Sequence, residues 1–319
     1  MGNKEKVLKE QKFVSVVAYV RNGAGEIEKF LDAVMGECES LFQKCELILV
    51  DDCSTDESLD VIHRYYEGRV FGYMVSIIRM GMYQGMESAM NAGRDLAIGD
   101  YVYEFDDLYV DYPAGILEKT YRRCLEGNDI VSVGCDAKMR LTSRLFYYIY
   151  NKASKTKHKL GQETFRILSR RAINRVKSIG SYIPYRKAVY LNCGLRCDHI
   201  VYAGTAPGEM TMHSRKDERS LLALDSFIYF TRVMEKISFG IAIAFLLTGV
   251  AVLIYVAASY FLDTHLVSGW VSLMGFLSLG FMGLFGLLTI VLKYLSVIIN
   301  LIFRNQRYLI EDVEKIARN

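Results

Sequence analysis

The sequence is emptiest of charge where its apolar runs are longest. Ser238–Leu262 holds no Lys, Arg, Asp or Glu over about 25 residues, and Leu266–Leu292 is equally free of them. That excludes two ordinary surface helices, because either run as a helix would reach across a hydrocarbon core of about 30 Å. Lys and Arg are also missing from the link Asp263-Thr264-His265, whereas Arg232 and Lys236 precede the pair and Lys293, Arg304, Arg307, Lys315 and Arg318 follow it. The bias of basic residues toward the inner face predicts a multi-pass hairpin in the inner or plasma membrane, with both termini and the N-terminal domain cytoplasmic.

Other absences narrow the class. The seven cysteines (Cys38, Cys45, Cys53, Cys124, Cys135, Cys193, Cys197) form no Cys-x-x-Cys pair and no disulfide-like spacing, so reduced thiols are expected. His63, His158, His199, His213 and His265 are scattered without ligand spacing, and the weak Cys193/Cys197 pair has few of them nearby. Met1–Lys12 is polar and charged, so no secretory signal is expected. There is no internal repeat and no low-complexity tract. What remains is about 230 residues outside the spans, ample for a core.

The net charge of +3 conceals an asymmetry. Lys138–Arg219 carries 18 Lys/Arg against 5 Asp/Glu, so +13 resides there and −10 elsewhere. Anionic lipid beside this segment and phosphate groups in a pocket both account for such an excess. Nucleic acid is not expected, since no recognisable module accompanies the charge.

Periodicity predicts an alternating pattern. Strands are expected at Phe13–Val20, Glu46–Val50, Tyr73–Ile78, Tyr101–Phe105 and Asp129–Val133. Helices are expected at Glu26–Leu41, Glu57–Tyr66, Gln84–Leu96 and from Pro113 to Leu125. The fold class is therefore α/β, a mostly parallel sheet flanked by helices, with ligands beyond the carboxyl ends of the strands. Asp51-Asp52 and Asp106-Asp107 fall at that edge. Past Gly134 a helix over Thr142–Ala153, a strand over Thr164–Ser169 and a helix from Arg171 are expected. Leu221–Glu235 is amphipathic, suited to the membrane interface, and Lys293–Arg318 is read as a helical continuation that could do the same. The cluster Tyr147-Tyr148-Tyr150 suits helix packing or interface anchoring.

Four segments in order then resemble a known family. They are Val14-Ser15-Val16-Val17 with Asn22; Glu46–Val50 with Asp51-Asp52-Cys53-Ser54-Thr55-Asp56; Gly99-Asp100-Tyr101-Val102 leading to Asp106-Asp107; and Phe165-Arg166-Ile167-Leu168-Ser169-Arg170. The order resembles the family 2 glycosyltransferases of GT-A fold. The two apolar spans make it similar to the polyprenyl-phosphate type, such as dolichol-phosphate mannose synthase and bactoprenol glucosyltransferases. The resemblance implies four regions. Residues 1–215 would be a cytoplasmic GT-A domain, 216–236 an interfacial amphipathic helix, 237–292 a transmembrane hairpin, and 293–319 a cytoplasmic C-terminal helix or tail.

It further implies site residues. Asp52 would accept the uracil N–H of a UDP-sugar. Asn22, Arg21, Gly81, Gln84, Gly85 and Asp107 would complete the nucleotide-sugar site, the Gly81–Gly85 loop preceding a helix N-terminus. Asp106, Arg166 and Arg170 would be catalytic, and Arg140, Arg144, Arg215 and Lys216 would meet the acceptor phosphate. Mg²⁺ or Mn²⁺ is implied at Asp106 and Asp107, with a departure. The family pattern D-x-D-x-x-D reads Asp106-Asp107-Leu108-Tyr109-Val110-Asp111, so Leu108 replaces the second acid and offers no oxygen. Glu104 or Asp107 could substitute. Tyr19, Arg21 and Gly23 also stand where the family has Pro, an aromatic and an acid.

The implied reaction is inverting transfer of a sugar from a nucleotide-sugar to polyprenyl phosphate at the cytoplasmic leaflet. An alternative is elongation of a lipid-linked glycan in capsule or lipopolysaccharide synthesis, with Asp111 or Glu163 as base. Another is a non-catalytic GT-A membrane module. The lipid bilayer is an expected partner, and a homo-oligomer, a tetramer being one form, is expected from relatives with this anchor. Gly275, Gly280, Gly283 and Gly286 would permit close helix approach.

Overall fold

The computed structural model describes residues 9–136, 144, 147–148, 151–152, 161, 163–179, 185–204, 233–262, 269–302 and 308–316. It divides into two units, 1–226 with 305–319, and 227–304.

The first unit is built on an eight-stranded sheet. Its strands are β1 (Glu10–Val20), β2 (Phe42–Asp51), β3 (Met74–Met80), β4 (Tyr101–Phe105), β5 (Ile130–Cys135), β6 (Phe165–Ser169), β7 (Cys197–Tyr202) and β8 (Ile310–Ile316). The order is β7-β5-β6-β4-β1-β2-β3-β8. Strands β3, β2, β1 and β4 run parallel, and β6 enters antiparallel between β4 and β5. From Val14 to Val20 every residue of β1 is buried. That two-sided burial is what a central parallel strand demands, and it explains the unbroken apolar run in the sequence.

The helices follow the expected alternation. They are α1 (Ile27–Phe30), continuing through a π-helical turn into α2 (Gly36–Leu41), α3 (Ser58–Tyr66), α4 (Met86–Leu96), α5 (Ile116–Leu125), α6 (Arg170–Ile179) and α7 (Arg186–Asn192). On one face Phe30 meets Phe105 edge-on at 5.1 Å, and the Tyr103 hydroxyl donates to Leu117 O at 2.7 Å. On the other face α4 lies close to β1 and β2. A Cβ at Gly93 would come within 2.7 Å of the Val50 side chain, so glycine is what permits this approach.

Four elements differ from expectation. Helix α5 starts at Ile116 rather than at Pro113. Helix α7 and strand β7 have weak periodicity and were not expected. The tail does not continue as a helix to Arg318: residues Ile310–Ile316 pair antiparallel with β3. The apolar spacing Ile310, Val313, Ile316 mimics a helix, but the open edge of β3 offers a ladder of unpaired backbone groups that only a strand can satisfy. Glu314 then reaches Arg79 at 3.1 Å and His63 at 3.0 Å.

The second unit is a helix pair, α8 (Val233–Leu262) and α9 (Trp270–Ile302). Phe245 stacks on Phe285 with centroids 4.2 Å apart, and Gly249 faces Met282. Gly275, Gly280, Gly283 and Gly286 face open space, so they do not make this contact. Among the described residues, Leu273–Leu295 is long and apolar enough to cross a membrane, while α8 contributes a shorter apolar stretch, Ile243–Tyr255.

Candidate active site

The carboxyl edge of the parallel strands is stitched together by the loop residues singled out in the sequence. Asn22 and Cys53 take left-handed backbone conformations, with φ of 49° and 58°. Asn22 N–H donates to Ser54 Oγ at 3.1 Å, and its own Oδ1 accepts from Thr55 N–H at 2.7 Å. Asp51 accepts from Ser54 N–H, and Asp56 from Ala24 N–H. The Asp-Asp-Cys-Ser-Thr-Asp run is thus a tie between the ends of β1 and β2.

Asp52 is fully buried. Its Oδ1 accepts from Gln84 N–H at 2.9 Å and its Oδ2 from the Tyr19 hydroxyl at 3.1 Å. Burial raises its pKa, while these donors and Arg21 work in the opposite direction. Arg21 donates to the carbonyls of Asp52 and Cys53 and lies over the Tyr83 ring, 4.1 Å from its centroid. Gln84 is held in turn by Leu309: its Nε2 donates to Leu309 O at 2.6 Å and its Oε1 accepts from Leu309 N–H at 2.8 Å. Gly81 N–H donates to the same carbonyl at 3.1 Å, and Gly85, at φ 81°, starts α4. Every nucleotide-site residue expected on this rim except Asp107 is there.

Across β1 lies a second constellation. Ala18 pairs with both Leu49 and Phe105, so β2 and β4 flank β1, and Asp52 and Asp106 emerge on either side of it. Two strand spacings of about 4.8 Å and an offset of two residues along the strands separate their backbones by roughly 12 Å. Alternation along β4 puts Glu104 and Asp106 on one face. Each of two buried arginines bridges that pair. Arg166 Nη1 lies 3.0 Å from Glu104 Oε2 and its Nη2 lies 2.6 Å from Asp106 Oδ2. Arg186 Nη1 lies 2.8 Å from Glu104 Oε2 and its Nη2 lies 2.6 Å from Asp106 Oδ1. The Tyr190 hydroxyl donates to Glu104 Oε1 at 2.7 Å. Glu163 and Glu87 take the remaining Nε–H groups of Arg166 and Arg186.

Such a cluster satisfies the rule that buried charges are paired and hydrogen-bonded. Burial works against ionisation of Asp106, yet Arg166 and Arg186 hold it well below the usual carboxylate range. Only Arg166 and Asp106 of this group, with Glu104 and Glu163 as substitutes, were singled out in the sequence. Arg186, Tyr190 and Glu87 were missed. The period of two from Asp106 back to Glu104 was a usable signal, but nothing local marks Arg186.

Other expectations fare differently. Arg170 does not join this site. It begins α6 at the amino end of β4, because β6 is antiparallel, and it donates to the carbonyls of Ala97 and Gly99. Arg144 is helical and exposed, while Arg140, Arg215 and Lys216 lie outside the described residues, as does most of the expected Thr142–Ala153 helix and of Leu221–Glu235. Asp107 Oδ1 accepts from Tyr109 N–H, and Asp111 Oδ1 accepts from the Tyr202 hydroxyl at 2.5 Å. A cavity of about 330 Å³ opens beside Arg166 and Tyr190, lined also by Glu163, Lys187, Ser132 and His199.

The sequence model of the family described as "Glycosyl transferase family 2" matches residues 15–190, more than half of the chain. The chain belongs to the family 2 glycosyltransferases. It is 23% identical over 196 residues to an uncharacterized glycosyltransferase of Synechocystis sp., covering 59% of this chain and 60% of that one. It is 33% identical over 121 residues to the undecaprenyl-phosphate 4-deoxy-4-formamido-L-arabinose transferase of Pseudomonas syringae, covering 38% of this chain and 35% of that one. The chain therefore spans less than two thirds of either relative. Among solved structures it is similar to a mannosyltransferase of Pyrobaculum calidifontis in complex with GDP-Man and Mn²⁺, with a TM-score of 0.48 and 18% identity, covering 92% of this chain and 88% of that one.

For this glycosyltransferase the implied divalent cation does not fit the residues present. All four oxygens of Glu104 and Asp106 accept hydrogen bonds from Arg166, Arg186 or Tyr190. Leu108 is core, 3% exposed. Glu87 Oε1 is buried without a partner among the described residues, but one oxygen does not hold Mg²⁺ or Mn²⁺. No group of three acidic, His or Cys residues suited to a metal occurs among the described residues. Of the expected metal pair Asp106 and Asp107, Asp106 accepts from the guanidinium groups of Arg166 and Arg186.

Proposed function

We propose that this chain transfers a sugar from a nucleotide-sugar, UDP-linked, to the phosphate of a polyprenyl phosphate at the cytoplasmic leaflet. The observation that carries the reading is the convergence of Asp52 and Asp106 at one sheet edge, on either side of β1. The names of the relatives with undecaprenyl-phosphate activity support the acceptor, and the apolar Leu273–Leu295 supports a membrane location.

In this reading the nucleotide lies along the rim of Arg21, Asn22, Gly81, Gln84 and Gly85. Asp52 has lone pairs left beyond those used by Gln84 and Tyr19, and it takes the base N–H once the loop at Gly85 opens. Asp106 faces the ribose and diphosphate, with Asp107 beside it. A lipid phosphate is already anionic at neutral pH, so its oxygen needs no strong base to attack. Positioning and electrostatic stabilisation of the departing diphosphate are what the site supplies. Attack opposite the leaving group inverts the anomeric carbon.

In this reading residues 1–215, with β8 from the tail, serve as the catalytic domain, 216–236 as the interfacial segment that brings the lipid phosphate near, and 237–292 as a two-span hairpin with both termini cytoplasmic. Arg140, Arg144, Arg215 and Lys216 draw anionic lipid, and the exposed glycines of α9 suit a homo-oligomer. Asp52→Ala and Asp106→Ala test the donor site. Each is expected to weaken binding of a UDP-sugar in equilibrium dialysis by about tenfold or more. Unchanged binding in both variants contradicts the assignment.

A further inference from the structure

At the carboxyl ends of the parallel strands, the Glu104-x-Asp106 pair sets two carboxylates one residue apart on a shared face. It is also the place where two guanidinium groups are already seated. Each uses its two Nη atoms to span both carboxylates, at 2.6–3.0 Å. Arg166 is 1% exposed and Arg186 is fully buried, so neither swings out to solvent without breaking the cluster. Each Nε–H is anchored to a further carboxylate, Glu163 for Arg166 and Glu87 for Arg186. A divalent cation between Glu104 and Asp106 would have to displace both forks and then sit beside two like charges.

We infer that Arg166 and Arg186 stand permanently where a cation would bind, so that the chain takes the nucleoside diphosphate of its donor without Mg²⁺ or Mn²⁺. Leu108 follows from the same arrangement. With the pair held by arginines, the next acid of the pattern has no cation to meet, and an apolar side chain packs into the core instead. Arg186 is then a positioning residue. It fixes Asp106 toward the donor and supplies charge that otherwise comes with the ion. The inference rests on the nucleotide-sugar reading for the identity of the ligand, but not for the state of the carboxylate pair.

Two arms on the full-length chain in lipid nanodiscs separate these. In the first, Mn²⁺ alone is titrated and followed by electron paramagnetic resonance. The free-ion signal is expected to persist at one equivalent in the wild type. Arg186→Met, and the milder Arg186→Lys, each uncover carboxylate oxygens and are expected to bind Mn²⁺ more tightly, by about tenfold or more. A stoichiometric wild-type site that disappears in Asp106→Asn overturns the inference whatever the variants do. In the second arm, UDP and GDP are titrated in EDTA and again in Mn²⁺. Dissociation constants within about threefold of each other are expected. Binding that requires Mn²⁺ overturns the inference. Failure of both nucleotides under both conditions overturns the donor reading instead, and the first arm still decides the fate of the carboxylate pair.

Discussion

Glu104, Asp106, Arg166 and Arg186 form a buried ion cluster whose members are hard to remove singly. Glu104→Gln leaves two guanidinium groups short of an anion, and a loss of roughly 3–5 kcal/mol in urea unfolding is expected. Asp106 carries a pH signature. Its folded pKa is depressed, so its contribution is present above the unfolded value of about 3.9 and fades as pH falls toward the folded value. Asp106→Asn removes that dependence, and the urea midpoint of the variant should fall less steeply than the wild type from about pH 5 downward. An identical acid limb in both would contradict the pairing. At this scale the sequence made Asp52 and Asp106 legible, because each ends an apolar strand. It hid Arg186, which lies 80 residues from its partner Asp106 and inside a helix with no distinguishing pattern. Arg170 misled for a related reason: it lies close to Arg166 in sequence, but β6 carries the chain from the carboxyl end of β4 at Arg166 back to its amino end, where Arg170 begins α6.

Strand β8 extends the site's support beyond the residues that the parallel strands supply. Leu309 clamps Gln84 through its N–H and C=O, and Gln84 N–H holds Asp52. Gln84→Ala removes the clamp while leaving the backbone bond to Asp52. It is expected to raise the donor KM by about fivefold, as the loss of roughly 1 kcal/mol of hydrogen bonding implies, with kcat little changed. A changed kcat at constant KM would place Gln84 elsewhere in the reaction. The βα alternation of the first half was readable, since its strands are apolar runs bounded by turn residues and its helices have clear faces. The later half was less so. Strand β7 mixes Asp198 and His199 with apolar residues, and β8 carries Glu311, Asp312, Glu314 and Lys315, as an exposed edge strand should. Only the sheet, by leaving an edge open, determines that such a sequence becomes a strand.

The whole chain joins an α/β family 2 glycosyltransferase unit to a helix pair rich in exposed apolar side chains, among them Phe276, Leu287 and Tyr294. Exposed surface of that kind marks contact with lipid or protein. The protein is expected to stay with membranes after carbonate washing, and extraction into the wash would contradict a spanning anchor. The central claim is the reaction itself. The most direct measurement supplies labelled UDP-sugars to the purified chain in nanodiscs with or without polyprenyl phosphate. The account predicts label in the lipid phase as a sugar phosphodiester, only when the lipid phosphate is present, with inverted anomeric configuration. Label that stays on the nucleotide with every donor, or that moves only onto the hydroxyl of a lipid-linked glycan, would contradict it.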